Sequence, residues 1–255
     1  MFLVLMMIKN KCLFPLCRLN NMEYTLVRSK RRSLSVTVTR QGELLVRAPL
    51  KLSVQEIERF LTQKSVWIER KISVRQSANM QLSVLNDCNE VLIKGVAFAV
   101  TEHGEKNVFM DGQTLYIPQN KDRQSVIKRF IKNFGEELLG SILNEQLTSM
   151  KRSSHGETDF LTRFNDLQLS DPVRYWGVCR RDGKIRLNYR LVMLPERLIR
   201  YVVIHELCHL KHFNHSAAFW RLVAEYDPDF KAHRTELNTY TYVLQFLKSK
   251  QNDKL

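Results

Sequence analysis

The residues His205-Glu206-Leu207-Cys208-His209 constrain this chain more than any other stretch of its sequence. On an α-helix, side chains four positions apart lie on the same face one turn apart, so His205 and His209 can present ring nitrogens to one point. This spacing, with a glutamate beside the first histidine, is the pattern by which a helix binds zinc and places a general base next to it. The surrounding apolar residues favour a largely buried helix with one polar seam.

A histidine pair that is satisfied within the helix without any metal is the structural alternative. With seven histidines in 255 residues, a chance occurrence of the pattern is on the order of one in a few hundred. Two histidines and a glutamate on one buried stripe are also costly to desolvate without a cation. We therefore expect His205 and His209 to bind Zn²⁺ and Glu206 to act as the catalytic base.

A catalytic zinc normally has three protein ligands and one water, so a third ligand is needed. His215 is the first candidate, because Asn214 can adopt the left-handed conformation that ends a helix and Ser216 can cap the next helix. His212 would lie about 10 Å along the helix axis from His205, too far for both to reach one ion. The more distant alternatives are the carboxylates Glu225 and Glu236.

Stretches on both sides of the motif carry a resemblance to a known family. They are Arg31-Arg32-Ser33-Leu34-Ser35-Val36, Leu45-Val46-Arg47-Ala48-Pro49, Trp176-Gly177-Val178-Cys179, Lys184-Ile185-Arg186-Leu187-Asn188-Tyr189-Arg190-Leu191, Tyr201-Val202-Val203-Ile204 with the motif and Leu210, Asn214-His215-Ser216 and Phe219-Trp220. From about Met22 onward the chain resembles the YgjP-like metallopeptidase family. The resemblance implies a zincin-type domain with His205, His209 and His215 as zinc ligands and Glu206 as general base. The end of the motif is also similar to WLM and SprT-like proteases, which bind DNA.

The substrate-binding residues are less well marked. The chain departs from the family pattern at Tyr175 and Val178, where a basic residue and a serine are usual, and Arg174 stands one place before the usual basic position. We predict that Arg174, Tyr175 and Asn188 contact the substrate. By resemblance, the strand 184–189 lines the cleft and pairs with an extended peptide through its main chain. The alternative is a strand covered on both sides. Candidates for stabilising the oxyanion are Arg174, Tyr175 and Tyr201.

The hydrophobic pattern predicts an α+β fold, a zincin-like metallopeptidase domain with an amino-terminal β-rich region. Its expected parts are a strand meander at 23–49, a helix at 54–72 capped by Ser53, a linker at 73–86, hairpins within 90–101 and 108–117, a helix at 121–150, strands at 164–169, 173–178 and 184–189, and a metal helix opened by Pro195. Residues 22–118 would form the β-rich region with one helix, and residues 119–250 the catalytic domain.

Residues 1–21 are interpreted as an upstream extension, because the family-like sequence begins at Met22. The apolar segment 1–8 is far shorter than the roughly twenty residues of a membrane span, and it lacks the charged start and cleavage pattern of a signal peptide. Beyond it the odd count of cysteines, without paired spacing, predicts reduced thiols in the cytoplasm. These cysteines are Cys88, Cys179 and Cys208.

The chain is strongly basic, with 40 Lys and Arg against 26 Asp and Glu and a net charge of +14. Such a charge favours nucleic acid, an acidic protein or an anionic membrane surface as partner. The basic residues are spread along the chain, which equally favours a solubilising surface. No aromatic and basic stacking motif is visible, so we expect weak, non-specific nucleic-acid binding at most. The sequence leaves the oligomeric state open.

These features together predict a zinc metallopeptidase, a hydrolase that cleaves peptide or protein substrates with a zinc-activated water. A metal-dependent nucleotide hydrolase acting on phosphoanhydrides is one alternative, because such a water attacks phosphorus as readily as a carbonyl. The absence of a glycine-rich phosphate loop weakens that alternative. A nucleic-acid-associated protein without catalysis is the third reading, and it requires a purely structural role for the motif.

Overall fold

The computed structural model describes residues 16–19, 22–39, 41–153 and 159–247, which form an α+β protein. The chain divides into two compact units, residues 1–80 and 81–255, and the division falls within the second helix. None of the described helices combines the length and the apolar character needed to cross a membrane. The cysteines within the described ranges form no disulfide bond; they are Cys17, Cys88, Cys179 and Cys208.

The first unit contains a four-stranded sheet. Its strands are β1 (Leu16–Leu19), β2 (Met22–Ser29), β3 (Ser35–Val38) and β4 (Leu44–Pro49). They lie in the order β1-β2-β4-β3, with β2 and β4 parallel and the two outer pairs antiparallel. The expected meander is therefore wrong, because β4 pairs with β2 over six residues and leaves β3 at the edge.

Part of the expected upstream extension belongs to this sheet. Strand β1 pairs antiparallel with β2 from Leu16 opposite Thr25 to Leu19 opposite Met22. Residues 1–15 and 20–21 lie outside the described residues. A chain that begins at Met22 would therefore lose one edge strand of the first sheet.

Two helices follow the first sheet, α1 (Val54–Gln63) and α2 (Ser65–Asn86). Ser53 caps α1 as predicted, and Glu56 completes the capping box by accepting a hydrogen bond from the Ser53 amide at 3.0 Å. The predicted linker at 73–86 is wrong, because that stretch is rich in residues that favour helix and continues α2. The buried core of this unit comprises Tyr24, Leu26, Leu44, Val46, Ala48, Ile57, Leu61 and Ile68.

The second unit begins with another four-stranded sheet and a long helix. These elements are β5 (Glu90–Ile93), β6 (Val96–His103), β7 (Phe109–Asp111), β8 (Thr114–Pro118) and α3 (Arg123–Ser153). The strand order is β5-β6-β8-β7, again with a parallel central pair and antiparallel outer pairs. The two predicted hairpins are thus present, and the second turns after Asp111.

The turn between β5 and β6 contacts the segment that leads into the metal helix. The amides of Lys94 and Gly95 donate to the carbonyls of Val192 and Met193 at 2.7 and 3.0 Å. Gly95 has a φ of +81°, and a Cβ there would lie 2.7 Å from the ring of Pro195, so only glycine fits this turn. This docking explains why residues 81–118 belong to the second unit, whereas the sequence predicted a boundary at residue 118.

The remaining elements surround the motif. They are β9 (Asp166–Ser170), β10 (Gly177–Cys179), β11 (Lys184–Asn188), a short 3-10 helix (Tyr189–Met193), α4 (Glu196–Cys208), α5 (Ala217–Tyr226) and α6 (Phe230–Leu237). The three strands form a sheet in the order β10-β11-β9. Helix α4 begins directly after Pro195, one residue later than predicted, and contacts α3, α5, α6 and β10.

Candidate metal centre

Three histidine rings converge at the end of α4. His205 lies in the last turn of α4, His209 caps its carboxyl end, and His215 lies in the turn before α5. One ring nitrogen from each lies within 4.8 Å of the others, and the Nε2 atoms of His205 and His215 are 3.1 Å apart. Two nitrogens on one tetrahedral zinc would be separated by about 3.3 Å, so the spacing suits a shared ion.

The His209 ring is held by a backbone carbonyl. Its Nδ1 lies 2.8 Å from the carbonyl oxygen of His212. A carbonyl only accepts hydrogen bonds, so Nδ1 must carry the proton, and in the neutral ring the lone pair is then on Nε2. This outer contact is the kind that fixes the tautomer of a metal-binding histidine. His212 therefore serves the cluster through its main chain, while its ring lies outside the group of three.

The turn that brings His215 to the cluster differs in detail from the prediction. Asn214 does not have a positive φ, and its side-chain oxygen instead accepts a hydrogen bond from the Ser216 amide at 3.3 Å. Ser216 caps α5 as predicted, since its hydroxyl accepts from the Phe219 amide. A side-chain turn thus replaces the expected left-handed residue.

The alternative third ligands lie elsewhere. Glu236 forms a two-pronged ion pair with Arg197, and Glu225 is exposed on α5. Neither side chain belongs to the histidine cluster. Among the described residues, that cluster is the group whose ligand atoms lie close enough together to hold a metal ion. The structure therefore favours His215.

Burial keeps His205 and His209 neutral and ready to donate lone pairs. It lowers the pKa of His205 to about 3, with further lowering by the neighbouring histidines and by the charge of Arg234. Burial also lowers the pKa of His209. Neutral imidazole is the form that binds a metal ion, so the donor set fits a divalent cation such as zinc.

Glu206 is buried beside β10, and two features of that strand hold it. The Cys179 amide donates a hydrogen bond to its carboxyl group, although burial is the dominant effect and raises the pKa of Glu206 to about 8. A Cβ on Gly177 would lie 2.7 Å from both the Cγ and the Oε1 of Glu206. Gly177 is therefore needed for the close approach of the carboxyl group to the strand.

Aromatic rings of α5 pack against the histidines. The Phe219 ring stacks on His209 with centroids 4.4 Å apart, and the Trp220 ring stacks on His215 at 5.5 Å. The Trp220 ring also stacks on Phe230, at 5.4 Å, and its centroid lies 4.8 Å from the guanidinium of Arg234. This wall limits the rotation of the histidine rings and leads from the cluster to α6.

The family model of the YgjP-like metallopeptidase domain matches residues 32–240 of this chain. The chain belongs to the YgjP-like metallopeptidase family. The match includes the histidine cluster, Glu206, β10 and two of the four strands of the first sheet, β3 and β4. The expected resemblance is thereby confirmed.

Two individual proteins are similar to parts of this YgjP-like chain. UTP pyrophosphatase of Escherichia coli (strain K12) is 37% identical over 69 residues, which are 27% of this chain and 40% of that protein. The chain thus matches well under half the length of this curated relative. The crystal structure of the metallopeptidase zymogen of Pyrococcus abyssi abylysin matches with a TM-score of 0.32 and 23% identity, over 40% of this chain and 92% of the other.

The predicted substrate residues of the YgjP-like chain lie in different settings. Arg174 and Tyr175 are exposed in the loop before β10, and their contact with substrate stays a prediction. Asn188 is fully buried, with its amide nitrogen donating to the carbonyls of Pro172 and Tyr175 and its oxygen accepting from the Arg190 amide. Its polar atoms are engaged by the protein, so Asn188 positions that loop and does not face a substrate.

The predicted substrate-pairing strand is also corrected. Strand β11 is central, with β10 on one side and β9 on the other, so its main chain is already paired. The edge of this sheet on the side of α4 is β10. Sequence periodicity did not reveal which strand lies at the edge. Strand β10 has three residues, and so short a strand gives too little pattern to place it in a sheet.

Sequence reasoning did not single out Arg234, and it gave Gly177 no role of its own. Arg234 carries no motif signal, since its importance comes from the packing of α6 against α4. Gly177 could have been noticed as a glycine within a predicted strand, which often marks a close approach.

Proposed function

We propose that this protein is a zinc-dependent hydrolase of the metallopeptidase class. The observation that supports this most strongly is the convergence of three histidine nitrogens within 4.8 Å at the end of the helix that carries Glu206. In the proposal, His205, His209 and His215 hold the ion. When bound, zinc supplies Lewis acidity and lowers the pKa of a water toward 7.

Glu206 is the proposed general base. Its carboxyl group accepts the proton of the attacking water and passes it to the leaving amine. Burial favours the neutral acid, and the pKa of about 8 belongs to the protein without a cation, since a nearby positive charge favours the carboxylate. The Cys179 amide and the space above Gly177 hold this group in one orientation.

Strand β10 is the proposed template for an extended peptide. Its outward-facing main chain follows from the pairing pattern: Asn188 donates to the Trp176 carbonyl and Arg180 to the Lys184 carbonyl. Because bonding alternates along an antiparallel strand, the main-chain groups of Gly177 and Cys179 face away from β11. The Cys179 amide is taken by Glu206, which leaves the main chain of Gly177 for a substrate.

A metal-dependent nucleotide hydrolase is the second candidate. It is favoured by the partial similarity to a protein named UTP pyrophosphatase. The same cluster and the same base would serve attack on phosphorus, because both reactions need an activated water and charge stabilisation. The metal centre alone does not discriminate between the two substrates.

The proposal is tested by metal content and by hydrolysis of casein and of UTP. The purified full-length chain should contain about one zinc, and His205→Ala, His209→Ala and His215→Ala should each lose most of it. Glu206→Gln should keep the zinc and lose hydrolysis by about a hundredfold or more. Glu225→Gln, a matched change at an exposed position of α5, should keep both.

Each contrary outcome has a distinct meaning. Full zinc retention in His215→Ala would show that His215 is not a ligand. Full activity of Glu206→Gln would contradict its role as base. Hydrolysis of UTP with no cleavage of casein would favour the second candidate.

A further inference from the structure

A groove of about 520 Å³ lies beside the aromatic wall of the metal centre. It is lined by Trp220, Phe230, Lys231, Arg234, Thr235 and Asn238. Two of these side chains are cations, two are aromatic, two are neutral and polar, and none is acidic. Such a lining suits a small ligand that carries a negative group.

The ring of Trp220 connects this groove to the histidines. It stacks on His215 with centroids 5.5 Å apart, and its centroid lies 4.8 Å from the guanidinium carbon of Arg234. The same ring lies 5.7 Å from that of His205. A ligand of dipeptide or nucleotide size can therefore contact the groove while its scissile bond lies at the metal centre.

Arg234 differs from the arginines of α4. Arg197 and Arg200 both form ion pairs with glutamates. Within the ranges that the structure describes, no carboxylate pairs with Arg234 or Lys231, and their cationic groups lie over aromatic rings. Two cations that are not neutralised by the protein maintain a potential that attracts anions.

We propose that Arg234 and Lys231 form an anion-binding subsite, which holds a carboxylate or phosphate group of the substrate beside the metal centre. The role as a substrate subsite rests on the proposed hydrolase function. The planar guanidinium of Arg234 can donate two hydrogen bonds to one anionic group while its face stays on Trp220. The subsite then selects substrates that carry a negative group close to the scissile bond.

The test measures binding by calorimetry and by tryptophan fluorescence, since Trp220 lies in the groove. The full-length, metal-replete protein is titrated with pyrophosphate, N-acetylalanine and the neutral N-acetylalanine amide. We expect at least one anion to bind, and Arg234→Gln to weaken its Kd about tenfold, the loss of one charge-assisted contact. Lys231→Gln should have a smaller effect, and Lys132→Gln, which removes one exposed charge from α3, should have none.

The preferred probe identifies the source of the anionic group. Tighter binding of pyrophosphate assigns a phosphate-bearing substrate. Tighter binding of N-acetylalanine, and a clear loss on going to its amide, assigns the carboxylate of a peptide end. Equal affinity of the wild type and Arg234→Gln for all probes overturns the subsite, because an anion that coordinates the metal would bind both proteins equally.

The outcome is separable from that of the proposed hydrolase. Binding that depends on Arg234, in a protein that hydrolyses neither casein nor UTP, would refute the hydrolase and keep an anion site. Hydrolysis that depends on Glu206, with anion binding that ignores Arg234, would refute the subsite and keep the hydrolase.

Discussion

The two four-stranded sheets of this chain have the same strand order and differ in what surrounds them. In each, two hairpins join through a parallel central pair, β2 with β4 and β6 with β8. In each, the last strand ends at a proline, Pro49 or Pro118, shortly before a helix. The second sheet docks its first turn on the segment that leads into α4, and this contact positions the helix that carries His205 and Glu206.

Charge separates the two units clearly. Residues 1–80 contain 15 Lys and Arg against 5 acidic residues, whereas residues 81–255 contain 25 against 21. The contrast is visible in equivalent loops between the second and third strands of each sheet. The first is Lys30-Arg31-Arg32-Ser33-Leu34, and the second is Gly104-Glu105-Lys106-Asn107-Val108.

The comparison indicates that the repeated sheet has a structural role and does not itself contain the residues proposed to act in catalysis. The histidine cluster and Glu206 belong to the segment after α3, which has no counterpart in the first unit. A shared supersecondary structure therefore carries a basic surface in one unit and supports the histidine cluster in the other. This agrees with the general rule that function resides in sites built onto a fold.

The largest expected effect is at Gly177, in a strand outside the repeated sheets. In Gly177→Ala, the new Cβ would meet Glu206 at 2.7 Å and displace its carboxyl group. A shift of about 1 Å at a reacting group can cost about a hundredfold in rate, so we expect that loss in hydrolysis, with zinc retained. The measurement is kcat alongside zinc content.

Gly104→Ala is the matched control in the second sheet, because a Cβ there meets nothing within 4 Å. It should leave kcat unchanged. Normal activity in Gly177→Ala would show that the carboxyl group is not held by this close contact.

The second expected effect tests the docking of the second sheet. In Gly95→Ala, a positive φ and a collision with Pro195 at 2.7 Å combine to destabilise the protein by about 3 kcal/mol. Gly112→Ala, in the other turn of this sheet, has a positive φ but open space around it, so about 1 kcal/mol is expected. Urea unfolding measures both, and equal losses would argue against the docking.

The third expected effect concerns two glutamates with opposite pKa shifts, one in each unit. Hydrogen bonds from Ser53 lower the pKa of Glu56, whereas burial raises the pKa of Glu206 from 4.5 to about 8. When the pKa of a carboxyl group is raised in the folded state, the protein loses folding stability as the pH rises from the group's unfolded-state pKa to its folded-state pKa. Between pH 6 and 9, Glu56 stays ionised and contributes no change.

In chelator-treated protein, raising the pH from 6 to 9 should therefore destabilise the wild type more than Glu206→Gln, by on the order of 2 kcal/mol. The two proteins differ only at residue 206, so the difference between their pH profiles reports on Glu206. Denaturant unfolding at the two pH values provides the measurement. Parallel pH profiles would show that Glu206 is not buried in the metal-free protein.

The sequence predicted the local part of this architecture. The spacing of His205 and His209 predicts a shared helix face, and Ser53 and Ser216 predict helix starts, because these signals lie within a few residues of each other. A short turn brings the third histidine, His215, to this pair. That turn is also predictable from the sequence, because its residues are close to the motif along the chain.

The rest depends on contacts between distant segments. The parallel pairing of β2 with β4 and of β6 with β8 leaves no local signal, and neither does the approach of Gly177 to Glu206. The repeat itself did leave a trace: Arg59-Phe60-Leu61 and Arg129-Phe130-Ile131 follow the two proline-ended strands. Comparing the halves of the sequence would have found it, and would have shown the uneven charge.

The smallest expected effect tests whether the basic surface of the first unit binds polyanions. We propose that it contributes most of any nucleic-acid binding, because Lys30 and Arg32 are exposed and have no ion-pair partner among the described residues. The double variant Lys30→Gln/Arg32→Gln should weaken binding to single-stranded DNA about tenfold at low salt. The slope of log K against log salt should become less steep by about 1.4, because each of the two lost phosphate contacts contributes about 0.7.

Lys106→Gln, in the equivalent loop of the second sheet, is the control and should leave both affinity and slope nearly unchanged. Fluorescence anisotropy at several salt concentrations measures both quantities. Hydrolysis should be the same in all three proteins, because neither loop belongs to the metal centre. Equal losses in the two loops would mean that the charge acts through the whole molecule, since long-range attraction depends on net charge and not on the place of each residue.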